Sequence, residues 1–203
     1  MVGETARIGV LALQGGVREH VTMLKTAAEV TVVEVTTPAD LEGLDGIVLP
    51  GGESTTIANL LEESGLRDPL RERLARGLPA YGTCAGMILL AGTVTDGTVA
   101  GVGAMDITVR RNAFGAQRDS FEADLTVEGL SGGVFPAVFI RAPQIERAGP
   151  AVEILARLHD GAAVAARQGN LLVSAFHPEL GRDQRFHALF LAMCSGKKVS
   201  DSA

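Results

Sequence analysis

Four short apolar runs constrain this chain most: residues 7–14 (RIGVLALQ), 30–35 (VTVVEV), 46–50 (GIVLP) and 78–83 (LPAYGT). Brief stretches of this kind, with little alternation of polar and apolar residues, are the form of strands covered on both faces. Helical spacing fills the gaps between them. Segment 17–29 places Val17, Val21, Leu24 and Ala28 on one face, and segment 54–76 opens with Ser54-Thr55-Thr56 as a cap and closes before Gly77. Strand–helix alternation of this sort predicts a parallel sheet with right-handed crossovers and helices on its faces.

The pattern changes from about residue 98. MDITVRR, FEADLTVE, VFPAVFIR, VEILARL, AAVAARQ and LLVSAF follow with short connectors, among them the hairpin-type turns Asp160-Gly161 and Gly169-Asn170. The second half therefore reads as a mostly antiparallel extension of the same sheet. A last helix, about 182–195, carries Phe186, Leu189, Phe190 and Met193 at helical spacing, and the polar tail from about 196 to 203 is expected to be disordered. With 203 residues, 46% of them hydrophobic, and no linker or repeat, one α/β domain over 1–203 is expected.

Charge and sulfur narrow the function. The formal charge of −6 is dispersed, and the only adjacent basic pairs are Arg110-Arg111 and Lys197-Lys198, so no nucleic-acid footprint is present. No apolar run approaches the roughly 18 residues that span a bilayer, which argues against a membrane role. Cys84 and Cys194 match no zinc spacing, and no secretory segment precedes the first strand. A cytoplasmic protein with reduced thiols is expected.

One of those thiols has an unusual setting. Gly82-Thr83-Cys84-Ala85-Gly86 has the form G-x-C-x-G, the cysteine counterpart of a nucleophile elbow, in which a tight strand-to-helix turn holds the reactive side chain clear of the backbone. A helix N-terminus there favours thiolate over thiol, and the Ala85 N–H becomes a candidate oxyanion donor. A small buried core residue is the alternative reading of Cys84. What favours chemistry is SAFHPEL, residues 174–180. If this segment is extended, His177 and Glu179 project together past the carboxyl edge of the sheet, where sites in open α/β folds lie. Cys84, His177 and Glu179 then supply nucleophile, base and orienting acid. Cys194, His20, His159 and His187 are read as structural.

A second glycine corner, LPGGEST at 49–55, lacks the lysine of a phosphate-binding loop. Its backbone N–H groups are candidates to complete an oxyanion hole, and Glu53 to receive a substrate ammonium. On spacing alone, a tight turn with a solvated carboxylate at a helix start is the stronger reading.

Taken together and in order, PGGE, GTCAG and FHPE resemble the class I, or triad, glutamine amidotransferases. More narrowly, ALQGGVREH (12–20), PGGESTT (50–56), GTCAG (82–86), RNAFGAQRDSFE (111–122), FIRAP (139–143) and FHPEL (176–180) resemble the glutaminase subunits of pyridoxal 5'-phosphate synthase, over nearly the whole chain. The resemblance implies a flavodoxin-like open mixed sheet flanked by helices, with antiparallel strands in the C-terminal half. It also implies that Cys84 attacks the side-chain amide of L-glutamine, giving a glutamyl thioester and ammonia, with His177 moving protons and Glu179 orienting it. By the same resemblance Gly52, Glu53 and Ser54 line the glutamine pocket, with Gly52 and Ala85 at the oxyanion. Arg111 reads the α-carboxylate, Ile140 and Arg141 close the far side, and Gln14 has a supporting place. No metal or cofactor is implied. The implied partner is a separate (β/α)8 synthase subunit, in a large hetero-oligomer, that takes up the ammonia. One departure stands out: the family commonly has arginine where this chain has Ala116, with Arg118 nearby. The rival readings are a cysteine hydrolase or peptidase, which has no need of a Glu53–Arg111 pair to read a free amino acid, and a non-catalytic subunit, which has no need of an intact triad.

Overall fold

The computed structural model describes residues 5–97, 99–114 and 120–196. Its centre is a parallel sheet built from the four predicted runs: β1 (Arg7–Leu11), β2 (Thr31–Val35), β3 (Gly46–Leu49) and β4 (Ala80–Thr83). Beside β4 lies β12 (Leu171–Ser174), also parallel, which pairs on its other side with antiparallel β11 (Ala163–Gln168). The sheet continues through β9 (Gln144–Ala148) and β6 (Met105–Arg110) to β5 (Ala91–Val94), giving the order β2-β1-β3-β4-β12-β11-β9-β6-β5, with β10 (Glu153–Arg157) attached to β11. β12 thus joins a parallel half to a largely antiparallel one. β3, β4 and β12 are buried at every position, as unbroken apolar strands between two helix layers must be.

The second half differs from expectation in two respects: β9 is a strand that no predicted run marked, and one hairpin leaves the main sheet. β7 (Ser120–Leu125) and β8 (Phe135–Ile140) form a separate two-stranded sheet rather than extending the main one. The burial of β8 alternates, with Phe135, Ala137 and Phe139 inward, so the hairpin covers the core with one face and leaves the other to solvent. Its inward rings pack into an aromatic cluster: Phe139 stacks on Phe121 at 4.6 Å between centroids, and Phe135 meets Phe186 edge-on at 4.8 Å.

Three helix expectations are also corrected. Segment 54–76 is two helices, α2 (Ser54–Glu63) and α3 (Arg67–Ala75), because Gly65 at φ +70° ends the first, with the Leu66 N–H returning to the Leu61 carbonyl. The cap of α2 is the Glu53 carboxylate, not the Ser54-Thr55-Thr56 hydroxyls. In α1 (Val17–Ala27) the fully inward residues are His20, Met23 and Leu24, while Val17 and Val21 are half-buried and Ala28 lies past the helix in extended conformation. The short α4 (Ala85–Leu90) is wholly buried, and α5 (Arg185–Cys194) buries Phe186, His187, Leu189, Phe190 and Leu191, with Met193 half-buried. Both hairpin turns occur as expected, between β10 and β11 and between β11 and β12. Most of the predicted tail, 197–203, lies outside the described residues. No described helix is long and apolar enough to cross a membrane.

Register places the site. Thr83 is level with Ser174, and Leu49 with Gly82, so the parallel strands end along one edge and the loops after β1, β3, β4 and β12 gather there.

Candidate functional site

Cys84 follows β4 at φ +46° and ψ −103°, a left-handed conformation that a residue with a side chain adopts only at a cost of about 1–3 kcal/mol. The surroundings hold it there. Its N–H donates to the Ser174 carbonyl at 2.8 Å, and its own carbonyl accepts from Ile88 in the first turn of α4 at 3.3 Å. The flanking glycines are required by space: a Cβ at Gly82 would lie 2.6 Å from the Gly86 backbone, and one at Gly86 would collide with the Leu49 carbonyl oxygen. Ala85, first in α4, has an N–H with no acceptor within the helix.

His177 and Glu179 reach this thiol by a route other than the extended segment expected. β12 stops at Ser174, and Pro178–Leu180 is a single 3-10 turn. Proline at its first position disfavours continued helix before it, which leaves His177 at φ −107° and ψ 83° and folds Glu179 back under it. The His177 N–H is anchored to the Val138 carbonyl at 2.8 Å. His177 Nδ1 is 2.8 Å from Glu179 Oε1, so Nδ1–H donates to the carboxylate and Nε2 is the ring nitrogen left for other partners. Burial opposes charge on His177, but interaction with Cys84 and with Glu179 outweighs it and lifts the pKa to about 10. Burial likewise opposes charge on Glu179, yet the imidazoles of His177 and His20 hold its pKa below the usual carboxylate value. Gly51 sits beneath both partners. A Cβ there would lie 2.5 Å from His177 Cε1 and 3.3 Å from Cys84 Cβ.

Cys84 and His177 border a pocket of about 240 Å³, small for a ligand site. Ile88 lines it as well. Gly52, Glu53 and Ser54 come from the β3 loop, Gln14 from the β1 loop, Arg111 and Asn112 from the turn after β6, and Ile140 and Arg141 from the end of β8. The structure therefore brings together the residues singled out in sequence, with Glu179 behind His177 and Ala85 behind Cys84. Gln14 is a brace: its Oε1 accepts the Glu53 N–H at 2.9 Å, and the Gly16 N–H donates to the Gly51 carbonyl at 3.0 Å. Glu53 accepts from the N–H of Thr56 at 2.7 Å and of Thr55 at 3.2 Å, which depresses its pKa, and it also lies 3.4 Å from Arg111. Glu53 thus caps α2, as the helix-start reading expects, and also lines the pocket. Arg141, at φ +43°, and Asn112, at φ +47°, turn the backbone sharply at the rim.

Sequence reading missed several contributors. Asp96 lies 3.7 Å from Arg111 and gives no motif. Thr83, inside GTCAG, accepts the Gly51 N–H at 3.0 Å. His20, taken as structural, is fully buried 3.4 Å from Glu179, and its i, i+4 relation to Leu24 was the available signal. Ala116 and Arg118 lie outside the described residues.

A cysteine elbow thus faces a histidine–carboxylate pair along the carboxyl edge of a mixed sheet, and the fold of this sheet is shared with a solved structure. A crystal structure described as a glutamine amidotransferase superposes with a TM-score of 0.86 at 48% identity, covering 93% of this chain and 98% of its own. The chain belongs to the SNO glutamine amidotransferase family, whose model matches residues 10–196. It is 54% identical over 195 residues to a protein of Dehalococcoides mccartyi named pyridoxal 5'-phosphate synthase subunit PdxT, covering 95% of this chain and 99% of that one. A protein of Frankia alni with the same name is 57% identical over 187 residues, covering 91% of this chain and 93% of that one.

Proposed function

We propose that this chain is the glutaminase subunit of a pyridoxal 5'-phosphate synthase, hydrolysing L-glutamine to L-glutamate and ammonia through a Cys84–His177–Glu179 triad. The observation that carries the triad is the imidazole of His177, held by a buried carboxylate on one side and facing an elbow thiol on the other, with its pKa lifted to about 10. Such an arrangement sets a base within reach of the nucleophile and an acid behind the base.

Glutamine enters with its α-carboxylate toward Arg111 and its α-ammonium toward Glu53, while Ile140 and Arg141 close over the side chain. The Cys84 thiolate attacks the amide carbon, and the oxyanion is received by the N–H groups of Ala85 and Gly52. His177 gives its proton to the leaving nitrogen as the C–N bond breaks, releasing ammonia and leaving a glutamyl thioester. Water then attacks the thioester, with His177 taking its proton, and glutamate leaves as the Cys84 sulfur is restored. Glu179 keeps the ring oriented throughout.

Ammonia released to water is protonated and lost as a nucleophile, so the chain is useful when docked. Its partner is the (β/α)8 synthase subunit, in a hetero-oligomer in the cytoplasm, which consumes the ammonia with a pentose phosphate and a triose phosphate. Glutamine hydrolysis measured alone and with purified synthase subunit tests the reading. Docking should raise turnover, and Cys84→Ala should remove it from both; hydrolysis unaffected by that substitution would overturn the triad, and no gain on mixing would overturn the docking.

A further inference from the structure

Behind the triad lies a buried polar chain that the reaction above does not use. Glu179 gives one oxygen, Oε1, to His177, while the other, Oε2, makes no well-aligned hydrogen bond among the described residues although the side chain is only 1% exposed. His20 Nε2 faces that oxygen at 3.4 Å and Thr83 Oγ1 at 3.1 Å. On the far side of the ring, His20 Nδ1 is 3.0 Å from His187 Nε2. We infer that His20 is a positioning residue for the triad, whose Nε2–H holds Glu179 Oε2 so that Oε1 stays aimed at His177, with His187 fixing the tautomer of His20.

The proton order follows from what each atom can do. An ionised carboxylate only accepts, so His20 Nε2 must carry the proton. Its Nδ1 is then a lone pair, and His187 Nε2 must donate to it. The reverse order would set a lone pair against the carboxylate and strand a buried N–H at His187 Nδ1, which has no partner among the described residues. Burial keeps both rings neutral, lowering the pKa of each. The groups facing His20 are Glu179 and His177 from the segment after β12, His187 from α5, Thr83 from β4 and Glu19 on its own helix. Thr83 Oγ1, which lies 3.1 Å from His20 Nε2, also accepts the N–H of Gly51, the residue beneath His177 and Cys84.

This inference rests on the triad reading, and two side chains separate donor from bulk. Glutamine places an amide N–H near the imidazole Nε2 position, whereas asparagine places it near Nδ1. In the complex with synthase subunit, His20→Asn is expected to lower kcat about tenfold with KM within about twofold, as loss of an outer hydrogen-bond partner does elsewhere. His20→Gln should restore most of it. Alkylation of Cys84 by iodoacetamide at neutral pH should slow in His20→Asn, because a loosened carboxylate stabilises the imidazolium less. In a Glu179→Gln background His20→Asn should cost nothing further. Unchanged alkylation and kcat in His20→Asn, or an equal loss in that background, overturns the inference. Nitrogen-15 shifts of the unmutated protein supply a readout free of folding defects: a His20 protonated at Nε2 supports it, and one protonated at Nδ1 overturns it. Absence of glutamine turnover in the wild-type complex would instead sink the glutaminase reading, leaving the alkylation and tautomer results to judge His20.

Discussion

His177 and His187 are both largely shielded from water, yet their proton affinities move in opposite directions. His177 rises to about 10, and His187 falls to about 3. Burial alone drives an imidazole toward neutrality, and His187 shows that limit, since its closest polar neighbour is another neutral ring. His177 suffers the same penalty but has a carboxylate at 2.8 Å and a thiol on its other side. Partners, not depth, separate the two imidazoles in this molecule.

The strongest way to break the contrast is to remove the sulfur. Cys84→Ala should lower glutamine turnover by about 10⁴-fold or more and drop the His177 titration midpoint, followed through its Cε1 proton by NMR. A midpoint still near 10 would show that the thiol contributes nothing to it. Glu179→Gln attacks the other partner; turnover should fall about 10³- to 10⁴-fold as the ring loses its fixed tautomer, and the midpoint should again fall. Gly51→Ala leaves both partners in place but moves the ring, because the new Cβ would lie 2.5 Å from Cε1. A displacement of that kind is expected to cost about 10²-fold in kcat with a thermal midpoint close to wild type.

Smaller effects appear in the dependence of stability on pH. The folded pKa of His177 lies above its unfolded value of 6.5, so its contribution is complete below about 6.5 and is lost as pH rises through about 10. The folded pKa of His187 lies below 6.5, so the unfolded chain gains protons that the folded chain refuses, and stability falls as pH drops from about 6.5 toward about 3. His187→Gln retains an N–H toward His20 but cannot titrate. It should flatten the acid slope measured by chemical denaturation between pH 6 and 4.5, by at most about 1.4 kcal/mol per pH unit. A slope equal to wild type would mean that His187 already accepts a proton when folded.

The parallel half was legible because β1, β3 and β4 are unbroken apolar runs, and a strand covered on both faces has little other way to be written. β5 and β9 were not, since Ala91–Val94 and Gln144–Ala148 carry exposed positions and owe their pairing to neighbours rather than to composition. The separate β7–β8 hairpin was hidden for a related reason: alternation reveals a half-covered strand but not which layer covers it. In the site, Cys84, His177 and Glu179 were recoverable because glycine and proline mark the backbone corners that present them. Asp96, Thr83 and His20 act through partners distant in the chain, and no local spacing encodes such a contact.

Ser174 pairs in register with Thr83, and its carbonyl fastens the Cys84 N–H, so the Cys84 sulfur and the His177 imidazole follow adjacent strands made at very different times. During synthesis on a ribosome the elbow emerges early but lacks both its anchor and its base until β12 has left the exit tunnel and slotted in beside β4. The elbow and the imidazole therefore meet only as the sheet closes.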